Sequence, residues 1–393
     1  MKKKFLDFGM QPITNAFLTE DKFDGEYFYN LSIGIDEDTK LVSLMESVKP
    51  ELMFNDVYAH RASMSETMRN SFKAVAESLI KQFRPKNVLE IGSNDGVFIR
   101  NFSKEAIVAI EPCKNLADLT SGMGYKTYCD FWDISTAHMI VDHHGEMDVI
   151  YSANTISHIK NIVEVFKAVD YSLSDDGVFV FEDPSLYSVL KNTSYDQFYD
   201  EHAHVFSVIG LINLLNDCGL EIFNVDNLTT HGGSNRIYVK KKHNKSLSID
   251  NSLDHNVEKE LGYGMNHISI YEEFASRVKR SKAQLIELLN QFKNDGKKII
   301  SYGATYKSAT IFNYCRIGVD LIDYIVDTTV NKQGKFSPGM HIPIISPEEG
   351  FDDSVDYAFL GAWNFAKEII KKEQLYIDRG GKFITHVPSV RLV

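Results

Sequence analysis

Cysteine is scarce. The 393 residues hold four, Cys113, Cys129, Cys218 and Cys315, with no CxxC pair and none before Cys113. That spacing excludes a disulfide framework and a cysteine-built zinc knot. Long apolar runs are also missing, so no membrane span is expected. The basic start, Met1 to Gly9, lacks the apolar stretch of a signal peptide, and the expected location is the cytoplasm. Positive charge is the minority sign: 42 Lys and Arg stand against 54 Asp and Glu, a formal net charge of −12. A phosphate backbone is held by clustered Lys and Arg, so nucleic acid is not the expected partner. A small anionic ligand remains compatible, because a few local donors can hold a diphosphate inside an acidic protein.

What is present is enough to build buried cores: 44% of the residues are hydrophobic and 12% aromatic. The length suggests two or three domains. Residues 1–65 read as a small β-rich domain with strand-like pieces Lys4–Phe8, Tyr27–Ile33 and Lys40–Met45. Across Met64–Phe83, Met68, Phe72, Val75, Ala76, Leu79 and Ile80 recur at helical spacing until Pro85 stops the helix. Residues 66–240 then alternate strand and helix as a parallel α/β sheet does. The strands are Asn87–Ile91, Ala106–Ile110, Asp148–Tyr151, Val178–Phe181, Glu221–Asn227 and Arg236–Lys240. The helices are Val97–Phe102, Asn115–Ser121, Ile162–Leu173 and Val208–Cys218, with a long polar segment running up to His204 and a polar turn at His143-His144. Residues 241–296 read as a helical connector, striped by Ile268, Tyr271, Phe274, Val278, Leu285, Leu288, Leu289 and Phe292. From 297 to 393 the pattern restarts, with Lys298–Tyr302, Ser308–Cys315, Asp323–Val326, Tyr357–Leu360, Ala366–Lys372 and Lys382–His386. This is a second, smaller α/β domain.

The segment Val88-Leu89-Glu90-Ile91-Gly92-Ser93-Asn94-Asp95-Gly96 is a buried strand ending in an acid, followed by a turn with two glycines. Gly92 and Gly96 let the backbone approach a ligand without a Cβ in the way. A ligand there would sit at the carboxyl end of the strand, where open sheets bind cofactors. The dinucleotide fingerprint is absent, since Ser93 and Asn94 occupy its middle. Instead E-x-G-x-x-x-G resembles the first motif of class I S-adenosylmethionine-dependent methyltransferases. Glu111, followed by Pro112, ends the next strand and can accept both ribose hydroxyls of an adenosine. Asp130 and Phe131, with Trp132, supply a polar acceptor and an aromatic wall for the adenine. Asn154 follows the strand beginning at Asp148, whose end faces the transferable methyl in this fold.

The segment Tyr195 to His204 sets an imidazole, a carboxylate and a phenol side by side. Removing a carbon-bound proton needs a base and a donor for the oxygen that gains charge. His202 can be the base and Glu201 its orienting partner, with Tyr199 or His158 donating to the oxygen. A metal reading of His202 and His204 lacks a matching third ligand.

Six segments extend this reading: Leu6 to Leu18, Leu89 to Gly96, Tyr199 to His202, His231 to Arg236, Tyr302 to Lys307, and Lys332 to Pro343. Together, in this order, they resemble the sugar C-methyltransferase family, which methylates nucleotide-activated 4-keto-deoxy sugars at the carbon beside the ketone. The resemblance implies S-adenosylmethionine as cofactor and a nucleotide-sugar substrate. It implies that a base matching His202 removes the proton, and that the enolate attacks the sulfonium methyl. Tyr199, Glu201 and His158 match the family's site residues. The carboxy-terminal domain would help hold the nucleotide. Tyr58, Asn235, Arg236, Tyr302 and Lys307 are candidate substrate contacts, Arg236 and Lys307 for their charge alone. The implied fold is a class I (Rossmann-like) methyltransferase domain between a small β-rich amino-terminal domain and a smaller α/β carboxy-terminal one.

Two departures stand out. The family's amino-terminal domain carries four zinc-binding cysteines, and this chain has none there, so no metal is expected. Near Tyr58 the family shows a second tyrosine reaching the active site, and His60 occupies that position. An O- or N-methyltransferase on a related sugar, or a non-catalytic cofactor-binding protein, are the competing readings.

Overall fold

The strands of the computed structural model, which describes residues 2–56 and 58–393, follow the apolar alternation of the sequence. In chain order they are β1 (Lys2–Pro12), β2 (Phe28–Asp36), β3 (Val42–Leu44), β4 (Val88–Ile91), β5 (Ile107–Ile110), β6 (Lys126–Tyr128), β7 (Met147–Ala153), β8 (Leu173–Pro184) and β9 (His204–Val205). Next come β10 (Leu220–Leu228), β11 (Ser234–Lys241), β12 (Ile299–Tyr302), β13 (Ile325–Val326), β14 (Ile344–Ile345), β15 (Tyr357–Leu360), β16 (Lys382–Thr385) and β17 (Arg391–Leu392). They form three sheets, ordered β1-β2-β3-β9, β10-β11-β8-β7-β4-β5-β6 and β14-β13-β12-β15-β16-β17.

The seven-stranded sheet is parallel except for β11, which runs antiparallel to both of its neighbours. Successive residues of its strands face opposite cores, as the two-residue period of a strand demands. Leu89, Ile91, Val108, Ile110, Ile150, Phe179 and Phe181 pack on one face. Val88, Ile107, Ala109, Val149, Tyr151, Val178 and Val180 pack on the other, against Met68, Phe72, Val75, Ala76 and Leu79. Those last five are the inward stripe of the helix Glu66–Phe83, whose start Ser65 caps by accepting from the Met68 N–H at 3.3 Å. Ile80 and Met64, read from the spacing as part of that element, are exposed. This is an open, Rossmann-like sheet with cores on both faces.

The amino-terminal sheet is closed by β9, a strand from far along the chain that pairs with β3. Its core is apolar: Leu6, Phe8, Tyr29, Leu31, Ile33, Ile35, Val42 and Leu44 belong to one cluster that continues through Tyr271, Phe274, Leu285, Ile311 and Ile384. Burying each such side chain contributes about 1.5–3 kcal/mol. The amino-terminal sheet, the helix Ile268–Asn294 and the carboxy-terminal sheet therefore share a core. In the last of these sheets β12 is flanked by β13 and β15, all parallel.

Four local expectations change. Val97–Phe102 is not a helix but contains a 3-10 turn, Ile99–Asn101. His143 and His144 are not in a polar turn; they end the helix Ile134–His144, an element the sequence reading passed over. The connector is two helices, Asn251–Gly262 and Ile268–Asn294. The polar segment before His204 holds a buried helix, Leu186–Asn192, and Asp196, Gln197, Asp200, Glu201, His202 and His204 are all buried. Neighbouring elements cover it, which local polarity does not reveal. Among the described residues, no helix is long and apolar enough to cross a membrane.

Candidate active site

The ends of β4, β5 and β7 open onto one cavity of about 460 Å3, which the carboxy-terminal domain closes from the opposite side. The turn after β4 is made by Gly92, whose φ of +75° an L side chain rarely adopts. Its N–H and that of Ser93 both donate to the Ile110 carbonyl, at 2.8 and 3.2 Å, which folds the loop over the end of β5. Asn94 is also left-handed, with φ 48°. Its N–H donates to Glu111 Oε2 at 2.7 Å, while the Cys113 N–H donates to Oε1 at 2.9 Å. Each carboxylate oxygen keeps lone-pair capacity beyond those bonds. Glu111 is 4% exposed, and burial raises its pKa despite them.

Glu90 lies beneath this loop with Oε2 unpartnered among the described residues. Burial, then the charges of Glu111 and Asp95, push its carboxyl well above the ordinary range. S-adenosylmethionine carries a sulfonium, an ammonium and a ribose diol. An unpartnered buried carboxylate oxygen and a second carboxylate with spare acceptor capacity fit that set of cations and donors. Ser93, Asn94, Pro112, Phe131, Trp132 and Asn154 also line the cavity. Gly96 does not line it: its φ of +81° and a Cβ site 2.9 Å from Thr120 make it a packing glycine under the loop. Asp130 is exposed and caps the Phe131 N–H at 2.8 Å rather than entering the cavity. Asp95, which the sequence reading did not single out, accepts from Ser63 N–H and Oγ, and Asn94 Oδ1 accepts from the Ala62 N–H at 2.9 Å. These bonds clamp the 60–63 segment onto the cofactor loop.

Opposite the loop, aromatic rings form a connected row. Phe54 stacks on His158 at 5.6 Å, His158 is 5.3 Å from His202, and His202 is 4.1 Å from Tyr199. Tyr199 stacks on Tyr306 at 4.5 Å, and Tyr306 meets His60 edge-on at 6.4 Å. His202 Nδ1 sits 2.6 Å from the Gln197 carbonyl, which can only accept, so Nδ1 carries the proton. Nε2 then holds the lone pair, and the Tyr199 hydroxyl donates to it at 2.9 Å. Burial, first of all, drives the His202 pKa well below its ordinary value, so the imidazole is neutral. His158 is likewise held neutral by burial, its pKa lowered to about 3, and its Nε2 is unpartnered among the described residues.

Glu201 does not orient His202, as the sequence reading had it. Its Oε2 accepts from the Tyr58 hydroxyl at 3.0 Å, and burial together with Asp200 raises its pKa. The orienting group is the Gln197 backbone carbonyl, a role no side-chain pattern encodes. Asp200 in turn accepts from Thr14, N–H at 3.1 Å and Oγ1 at 2.5 Å, tying the amino-terminal domain to the Tyr199–His202 segment. His60 lies in the cavity wall.

From the carboxy-terminal domain, Tyr306, Lys307 and Lys332 reach the cavity. Lys307 is 2% exposed, with its ammonium 4.6 Å over the Tyr306 ring. Lys332 donates to the Ala304 carbonyl at 2.7 Å and lies 3.9 Å from Asp327. Tyr306 and Lys332 fall inside segments whose family resemblance is visible, but nothing in their local spacing marks them. Three of the substrate candidates lie elsewhere. Arg236 is bound to Glu182 at 2.8 Å beside the buried Tyr151, because it points across β11 onto β8. Asn235 accepts from Asn227 at 2.9 Å within the β10–β11 pair. Tyr302 packs in the carboxy-terminal core and donates to Glu373 at 2.5 Å.

Three family models match the chain in succession: a zinc binding domain over residues 1–54, a methyltransferase domain over 56–225 and a C-methyltransferase C-terminal domain over 229–388. The donor set of a zinc domain is missing here. No cysteine precedes Cys113, and no group of three or more His, Cys, Asp or Glu among the described residues is placed to hold a metal ion. The chain is 30% identical to the C-methyltransferase NovU of Streptomyces niveus, over 99% of this chain and 93% of that one. Among solved structures, a S-adenosylmethionine-dependent methyltransferase from Clostridium acetobutylicum is 16% identical, covering 44% of this chain and 92% of its own, with a TM-score of 0.35. The CcbJ methyltransferase from Streptomyces caelestis is 11% identical, covering 44% of this chain and 89% of its own, with a TM-score of 0.35. With NovU matched along nearly its whole length and a loop fitted to the cofactor, this chain belongs to the family of S-adenosylmethionine-dependent C-methyltransferases.

Proposed function

We propose that the chain methylates a nucleotide-linked 4-keto-deoxy sugar at the carbon beside the ketone. The observation that carries this reading is the buried chain from Tyr199 through His202 to the Gln197 carbonyl, at the wall of the cavity that also holds the cofactor loop. When bound, S-adenosylmethionine supplies an electrophilic methyl group. The protein's own task is to make a carbon nucleophile, and a ketone acidifies the C–H next to it.

His202 is the final proton acceptor. The C–H proton passes to the Tyr199 oxygen as that phenol gives its own proton to Nε2, and the C–H electron pair remains with the sugar as an enolate. Nδ1 keeps its proton and its bond to Gln197, so the ring carries the positive charge without turning. His158, neutral and with Nε2 uncommitted, donates to the enolate oxygen. Lys307 and Lys332 supply the positive field that a nucleotide diphosphate requires. Membership in a C-methyltransferase family favours carbon over an oxygen or nitrogen acceptor.

The test is methyl transfer from labelled S-adenosylmethionine to a panel of nucleotide-linked 4-keto-6-deoxy sugars, read by mass spectrometry and proton NMR. The expected product is one methylene heavier and has lost the proton from a carbon beside the ketone, C3 or C5. A label found on oxygen or nitrogen would overturn the reading.

A further inference from the structure

Three phenols line the cavity, Tyr58, Tyr199 and Tyr306, and two of their hydroxyls are already engaged. Tyr199 donates to His202 Nε2 at 2.9 Å, and Tyr58 donates to Glu201 Oε2 at 3.0 Å. Tyr306 makes no hydrogen bond to a described residue, and it is only half-buried, so its hydroxyl is available to a ligand. Its ring is held firmly. It stacks on Tyr199 with centroids 4.5 Å apart and 21° between planes, and the Lys307 ammonium lies 4.6 Å from its centroid.

The backbone fixes it as well. Tyr306 is the first residue of the helix Tyr306–Cys315, whose amino end is closed by reciprocal bonds between Thr305 and Ser308. Tyr306 therefore brings a rigid donor from the carboxy-terminal domain up to the proton-transfer pair of the methyltransferase domain. In the row of rings, His158 flanks His202 on one side and Tyr306 flanks Tyr199 on the other. The Tyr199 phenol feels this neighbour: burial first, and Tyr306 next, hold it well above its ordinary pKa.

An oxygen that gains negative charge has lone pairs for more than one donor, and removing a donor aimed at it is costly. Building on the keto-sugar reading above, we propose that the Tyr306 hydroxyl is a second donor, beside His158, to the ketone oxygen as the neighbouring carbon is deprotonated. Tyr306 is thus a catalytic residue contributed by the carboxy-terminal domain. The active site is complete only when the two α/β domains face each other across the cavity.

Tyr306→Phe in the full chain tests this, because it keeps the stacked ring and removes only the hydroxyl. We expect kcat for a nucleotide-linked 4-keto-6-deoxy sugar to fall about a hundredfold. Calorimetric affinity for S-adenosylhomocysteine and the melting temperature should match the wild type. Tyr306→Ala, which also removes the wall behind Tyr199, should fall further. A Tyr306→Phe enzyme within twofold of wild-type kcat would overturn the proposal, even if Tyr306→Ala is inactive. A parallel loss of cofactor affinity in Tyr306→Phe would also overturn it, by assigning the hydroxyl to the cofactor. Carbon methylation by the wild type with unchanged Tyr306→Phe removes this inference alone. Wild-type methylation on oxygen or nitrogen removes the keto-sugar reading and this inference with it.

Discussion

Replacing His202 with asparagine is expected to lower kcat for methyl transfer about a thousandfold while leaving cofactor binding unchanged. Asparagine keeps an N–H donor for the Gln197 carbonyl, so the 197–202 turn retains its main internal bond. What it lacks is a basic nitrogen, and the Tyr199 hydroxyl then has no acceptor for its proton. His158 is not placed to take over: its ring centroid lies 5.3 Å from that of His202, and the Tyr199 hydroxyl is bonded to His202, with no bond to His158. The separation of effects is what makes the substitution informative: S-adenosylhomocysteine affinity, read by calorimetry, reports the loop at Gly92. A His202→Asn enzyme with more than a tenth of wild-type kcat would remove His202 from proton transfer.

Gly92→Ala should act on the other half of the site. A Cβ built on Gly92 lies 2.3 Å from Thr155 Oγ1, 2.7 Å from its Cγ2 and 2.9 Å from its Cβ, so the whole Thr155 side chain obstructs it. The φ of +75° adds the cost of a left-handed alanine, about 1–2 kcal/mol. Thr155 cannot move alone, since its carbonyl accepts from the His158 N–H at 2.9 Å and it follows the left-handed Asn154. We expect S-adenosylmethionine affinity to fall about tenfold to a hundredfold, equivalent to about 1.4–2.8 kcal/mol, and kcat to fall with it as His158 shifts. Gly122→Ala is the matched control, because a Cβ there meets nothing within 4 Å. Equal cofactor affinity in Gly92→Ala and wild type would mean that this loop is not the cofactor site.

The contrast between these residues explains what the sequence could and could not disclose. The candidate cofactor loop stood out because its parts are contiguous: a buried strand, an acid at its end, and a glycine where the backbone turns left-handed. Glu111, a candidate for the same site, stood out for the same reason, one strand later. His202 and Tyr199 were legible as chemical groups, but their roles depend on a partner the residue types do not announce. The atom that sets the His202 tautomer is a main-chain oxygen, and Glu201, beside it in sequence, faces Tyr58 instead.

Residues that depend on the meeting of domains were harder to find. Tyr306 and Lys332 lie far along the chain from the residues they face. Arg236 drew notice for its charge, yet the antiparallel insertion of β11 turns it onto Glu182. The amino-terminal sheet makes the same point about stability. Its zinc cysteines are absent, and an apolar core shared with the helix Ile268–Asn294, a borrowed fourth strand and the Thr14–Asp200 bonds tie it to the rest of the chain. Only the apolar pattern among those features is local.

The central claim is that this site makes a carbon nucleophile, and deuterium wash-in tests it without relying on the transfer step. The full chain would be incubated in D2O with S-adenosylhomocysteine and a nucleotide-linked 4-keto-6-deoxy sugar, and the protons on the two carbons beside the ketone, C3 and C5, followed by NMR. The account predicts that one of these protons exchanges for deuterium well above the enzyme-free rate, with no change at carbons not adjacent to the ketone. Both protons retained at the enzyme-free rate, in a preparation that transfers methyl groups to the same sugar, would contradict it.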